Sequence, residues 1–186
     1  MIAYKAFKRG LVSTKGGGDY KQFHEGLNKV SDSAKCVSCG AHCAADPLDM
    51  FAYYSPGENT EYRIVVPRGD IHEDGTDSKI ACTEIEVRQE LTIEQVAAAA
   101  LIYMKNHPLR CRNYDLPGYF KIRCGERPTA SGKLGEWLCF VEADTTVRRI
   151  GMIKVDGERV LPGKTYNIDG KEVTGNGRRK IQSAGA

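Results

Sequence analysis

Cys36, Cys39, His42 and Cys43 place four soft-metal ligands within eight residues. Two residues between Cys36 and Cys39 let both thiolates turn toward one ion, and Cys43 follows one helical turn later, the convergence that tetrahedral Zn²⁺ requires. Gly40 supplies a backbone position free to turn sharply, and His42 is a borderline ligand of the kind that completes three-cysteine sites. The set reads as a structural zinc site. A distant second pair usually accompanies such a knuckle, and none follows here, so Cys82, Cys111, Cys124, Cys139 and His24 are the remaining ligand types. The same residues also fit small buried thiols that pack as apolar groups. A redox dithiol is a third reading, which the lack of a surrounding βαβ pattern disfavours.

A second constellation is acidic. Between Gly69 and Gln95 eight acids stand against Lys79 and Arg88, and Asp70, Glu73, Asp74 and Asp77 crowd into one expected loop. The loop lacks the residue order and terminal glutamate of a calcium-binding loop. Its chemistry is that of a surface for a basic partner, although charge runs are also ordinary solvated faces. The C-terminal part is basic and ends in Arg178, Arg179 and Lys180. Direct nucleic-acid binding through that cluster is an alternative function, although no readout motif accompanies it and direct DNA binding is not the expected one. Gly16-Gly17-Gly18 lacks the lysine and the strand-to-helix context of a phosphate loop and reads as a turn.

The elements that position these residues follow from pattern. Ile2 to Phe7 reads as an opening strand and Tyr20 to Phe23 as another. Asp46 caps a short helix with Pro47 at its first position, and Leu48, Phe51 and Ala52 form its buried face, with Tyr53 and Tyr54 also in the core. Tyr62 to Val66 and Lys79 to Val87 read as a paired hairpin around the acidic loop. Thr92 and Gln95 form a capping box that opens the longest helix, which ends near Asn106 before Pro108. From Tyr119 onward strands alternate with Asp-Gly turns. The expected fold is α+β: short strands with a short and a long helix, then a small antiparallel β meander. The expected domains are residues 1–110 with the cysteine knuckle, 111–175 packed on them, and a flexible tail, 176–186.

With 186 residues, 41% hydrophobic and 27% charged, the chain is long enough for a core without disulfides, and no apolar run reaches the ~20 residues of a membrane helix. An N-terminus without a signal-like apolar core and an odd number of cysteines point to the cytoplasm.

The runs Ala34-Lys35-Cys36, Gly40-Ala41-His42-Cys43-Ala44, Asp46-Pro47-Leu48-Asp49 and Asp77-Ser78-Lys79-Ile80-Ala81-Cys82-Thr83 resemble an uncharacterised family carried by bacteriophages and prophages. The likeness continues through Tyr103-Met104, His107-Pro108 and Gly132 to Val141. Cys39 and Ala41 depart from the family pattern, and a glycine-rich insertion after the long helix is missing. The resemblance implies a mobile-element accessory protein, and with no catalytic motif present it implies an anti-defence inhibitor, an anti-CRISPR protein that binds a guide-loaded Cas9-type effector. Asp70, Glu73, Asp74 and Asp77 would then dock on a basic channel and obstruct loading of target DNA. A rival reading, from His42, Tyr53 or Tyr54 and a later glutamate, is an enzyme similar to NAD-dependent ADP-ribosyltransferases.

Overall fold

The computed structural model describes residues 1–14, 20–36, 38–57, 59–73, 75 and 77–174. The expected triple-glycine turn, Asp74, the Arg178 cluster and the tail lie outside the described residues. Strands hold 48% of the described residues and helical segments 14%. The fold is therefore mostly β, which corrects the expected α+β class. Two units divide the chain, Met1–Cys111 and Arg112–Ala186.

The first unit is built on a seven-stranded sheet. Its strands are β1 (Ala3–Lys8), β2 (Val12–Thr14), β3 (Tyr20–Gln22), β4 (Gly26–Lys29), β5 (Ala41–Ala44), β6 (Thr60–Glu73) and β7 (Lys79–Leu91). Strands β1 and β7 each pair with both β5 and β6, all antiparallel, so these four strands close on one another. Ala3, Phe7, Ala41, Cys43, Val65, Ile80, Cys82 and Ile85 form the apolar cluster that this closure buries. Burying such side chains is worth roughly 1.5–3 kcal/mol each for the larger ones, and it fixes the register of short strands that propensity alone would leave open.

The excess of strand over expectation has a definite source. Arg68 to Glu73 are exposed on both faces, so they carry no alternation of apolar and polar residues to mark a strand. Ladder pairing holds them instead: Ile71, His72 and Glu73 stand opposite Cys82, Ala81 and Ile80. Gly69 to Glu73 of the expected acidic loop thus belong to the far end of a long β6–β7 ribbon.

Helix α1 (Ile93–Asn106) starts at Thr92 with the expected capping box and buries Val96, Ala97, Ala100, Leu101 and Met104. Asp46 accepts the Leu48 amide at 2.9 Å and caps Pro47–Ala52, as expected, but the segment is a 3-10 helix. Three residues per turn keep Leu48 and Phe51 on one buried face and leave Ala52 exposed. Tyr53 is exposed and Tyr54 half-buried, so neither is the core residue expected.

In the second unit β8 (Tyr114–Leu116), β9 (Phe120–Gly125), β11 (Trp137–Ala143) and β12 (Val147–Lys154) form one sheet, and β10 (Thr129–Ser131) pairs with β13 (Thr165–Asn167). Strands β9 and β11 run parallel, with Trp137 opposite Phe120, so the unit is more than the antiparallel meander expected. Glu136, with a side chain only 3% exposed, ties its loops together. It accepts the Gly118 and Lys133 amides at 2.9 Å each. Among the described residues no helix is long and apolar enough to cross a membrane.

Candidate functional site

The four expected zinc ligands lie on two kinds of backbone. Cys36 and Cys39 belong to a tight turn in which the Lys35 and Cys39 backbones exchange hydrogen bonds at 3.0 and 3.1 Å. The Cys36 thiol is buried and donates to the carbonyl of His72 at 3.2 Å, and the Cys39 sulfur lies 3.5 Å from the Ser33 hydroxyl. His42 and Cys43 are consecutive in β5, so their side chains take opposite faces of the strand. Cys43 faces the core, where a hydrogen bond with the Cys82 thiol, more than burial, pushes its own thiol well above the ordinary range. Among the described residues no group of three or more His, Cys, Asp or Glu side chains is placed to hold a metal ion.

The acidic residues separate as well. Asp70 and Glu73 are exposed on β6. Asp77 is half-buried, with its carboxylate accepting the Lys79 amide at 2.7 Å and lying 3.5 Å from both Lys79 Nζ and the Tyr53 hydroxyl. Farther along the ribbon Glu86 binds Arg68 at 2.6 Å and Arg88 at 2.9 Å, while Glu90 binds Arg63 at 3.3 Å. Cross-strand pairing brings Arg63 and Arg68 against acids more than fifteen positions away, and so pairs Glu90 and Glu86 of the charge run.

The structure draws a different set together. Strand β1 is paired along its whole length with β6, but its opposite edge is shared, Tyr4 meeting Ala44 of β5 and Lys8 meeting Val12 of β2. A pocket of about 600 Å³ is lined from β1, β2 and β5, by Tyr53 and Tyr54 after the 3-10 helix, and by Lys79 at the start of β7. That volume falls in the range of about 300–1,000 Å³ typical of small-molecule sites.

Lys5 is the chemical centre of this pocket. It takes the position between Ala3 and Phe7 on the core face of β1, and is only 6% exposed. Its Nζ donates to the His42 carbonyl at 2.8 Å and stands 5.0 and 5.7 Å from the ring centres of Phe7 and Phe23. Burial lowers its pKa, against smaller opposing effects of Tyr54, Cys43 and Cys82. The imidazole of His42, half-buried, likewise has its pKa lowered, first by burial and then by Lys5 and Lys79. The Tyr54 hydroxyl accepts the Thr14 amide at 3.0 Å and pairs with the Thr14 hydroxyl at 3.3 Å. Burial raises its pKa, but bonds from Thr14 and Ser13 outweigh that and lower it. Lys79 Nζ sits 5.1 Å from the Tyr53 ring centre.

Gly40 admits this arrangement. Its φ is +94°, and a Cβ there would stand 2.7 Å from the Cys82 carbonyl oxygen, so β5 can lie this close to β7 only with glycine at its entrance. The sequence signalled that turn. It also signalled Lys5, as the one charged position on an otherwise apolar strand face, but a pattern search reads such a lysine as a snorkelling edge residue.

A closed, mostly β unit with Lys5, His42, Tyr53 and Tyr54 lining one pocket is the class of module these features define. Residues 1–99 match the family model described as a domain of unknown function, DUF7666, and the chain belongs to that family. The match ends inside α1, so every residue lining the pocket lies within it. No curated protein and no solved structure matches the chain.

Proposed function

We propose that the first unit is a receptor for a small nucleotide-type ligand, with NAD and ADP-ribose as the first candidates. The observation that supports this reading is the meeting of His42, Tyr53 and Tyr54 with Lys21 and Lys79 around one pocket. Aromatic faces stack on a base for about 1–3 kcal/mol, and ammonium groups bind phosphate oxygens as strong charge-assisted donors. The reading is one of binding more than turnover. An ADP-ribosyltransferase of the histidine-tyrosine-glutamate type needs a glutamate, whereas the acids among the described lining residues are Asp49 and Asp77. Asp49 accepts the Ser78 hydroxyl at 2.6 Å, and Asp77 is engaged with Lys79. Calorimetric titration of the full chain with NAD, ADP-ribose and AMP tests the proposal. One-to-one binding that weakens at least tenfold in Tyr54→Ala supports it; absence of heat with all three ligands overturns it.

A second proposal is a stoichiometric anti-CRISPR inhibitor of phage origin that binds a Cas9-type effector. It is favoured by the exposure of Asp70 and Glu73 at the far end of the β6–β7 ribbon, where a basic channel could accept them. Co-purification with guide-loaded Cas9 and a DNA cleavage assay test it. A complex weakened by salt and by Asp70→Asn with Glu73→Gln is the expected result, and undiminished cleavage with no complex across several orthologues excludes it.

A further inference from the structure

We propose that Lys5 is an amine nucleophile that forms an imine with a carbonyl-bearing ligand of this pocket, which makes phosphorylated sugars with an open-chain aldehyde, ADP-ribose among them, its substrate class. The proposal rests on the pocket being a ligand site. Lys5 is more than nine-tenths buried on the pocket wall. In its uncharged form the amine carries two N–H groups and one lone pair. One N–H is committed to the His42 carbonyl at 2.8 Å, which orients the nitrogen. The rings of Phe7 and Phe23 flank it, an apolar setting of the kind that activates lysine nucleophiles. The acids among the described residues that line the pocket, Asp49 and Asp77, are engaged with Ser78 and Lys79.

The step is a condensation. The Nζ lone pair attacks the aldehyde carbon, the C=O π pair moves to oxygen, and a proton passes from nitrogen to that oxygen to give a carbinolamine. The hydroxyl then departs with a second proton as water, leaving C=N. Amine and aldehyde become imine and water, with no change of oxidation state.

The experiment is reductive trapping. The full chain is incubated with ADP-ribose and cyanoborohydride, and the reduced adduct is mapped by peptide mass spectrometry. NAD, whose anomeric carbon is substituted and cannot open, serves as the non-covalent competitor. One adduct per chain on Lys5, suppressed by NAD and missing in Lys5→Arg, is the expected outcome. Modification scattered over exposed lysines with Lys5 unmodified is adventitious glycation and overturns the proposal. Calorimetric binding of ADP-ribose or NAD without modification of Lys5 also overturns it while the receptor reading stands. No binding and no adduct overturns both. Because the unmodified protein itself is mapped, the result does not depend on the variant folding.

Discussion

Lys5 and His42 meet where β1 leaves β5: the lysine amine donates to the histidine carbonyl at 2.8 Å, and both residues line one pocket. This contact couples the fold to the site. The carbonyl belongs to the strand that closes the sheet against β7, while the amine rises from the first strand of the chain.

Replacing the amine separates stability from binding. In Lys5→Met the His42 carbonyl loses its donor, a cost of about 1–3 kcal/mol, while burial of a polar amine is relieved by a similar amount. The two effects oppose each other, so unfolding stability measured in urea should change by no more than about 1.5 kcal/mol. Trapping by ADP-ribose should vanish altogether.

Gly40 predicts a larger structural effect. Gly40→Ala combines a left-handed backbone, about 1–2 kcal/mol, with a forced contact on the Cys82 carbonyl, for a total of about 2–4 kcal/mol. Gly10 has a similar φ of +78° but open space around it, so Gly10→Ala should cost only about 1–2 kcal/mol. Denaturant midpoints of the two variants compare the clash directly.

Glu136 gives the second unit a pH dependence of known sign. Burial pushes its carboxyl up, but the Lys133 and Gly118 amides and the nearby Lys121 hold it below the ordinary value. A carboxyl depressed on folding contributes stability above its unfolded pKa, and that contribution is lost as pH falls through the folded value. Glu136→Gln should destabilise by about 2–4 kcal/mol near pH 7. The gap from the parent protein should close as the pH drops below about 4, the usual glutamate range.

The zinc proposal for Cys36, Cys39, His42 and Cys43 is decided by elemental analysis of protein purified without chelator. Stoichiometric zinc, lost in Cys36→Ser and in Cys39→Ser, would require the turn and β5 to rearrange, since His42 and Cys43 occupy opposite faces of the strand. Stoichiometric zinc is the result the proposal expects, and metal-free protein of undiminished stability excludes it.

Local signals were the most readable. Thr92 with Gln95, and Asp46 with Pro47, marked two helical starts because capping is a contact between near neighbours. What escaped was non-local. Arg68 to Glu73 form a strand only because Cys82, Ala81 and Ile80 pair with its end, and their own side chains carry no periodicity. The candidate site was half visible: His42, Tyr53 and Tyr54 were legible as polar and aromatic residues that could do chemistry. Lys5 became their partner only through the pairing of β1 with β5, some forty residues apart in the chain.

The most direct test of the pocket is an amide NMR titration of the full chain with ADP-ribose. Occupation of the pocket predicts saturable shifts at Thr14, at Ala41 to Ala44 and at Tyr53 and Tyr54, with residues after Arg112 unmoved. A spectrum unchanged at saturating ligand, or shifts confined to the second unit, would contradict it.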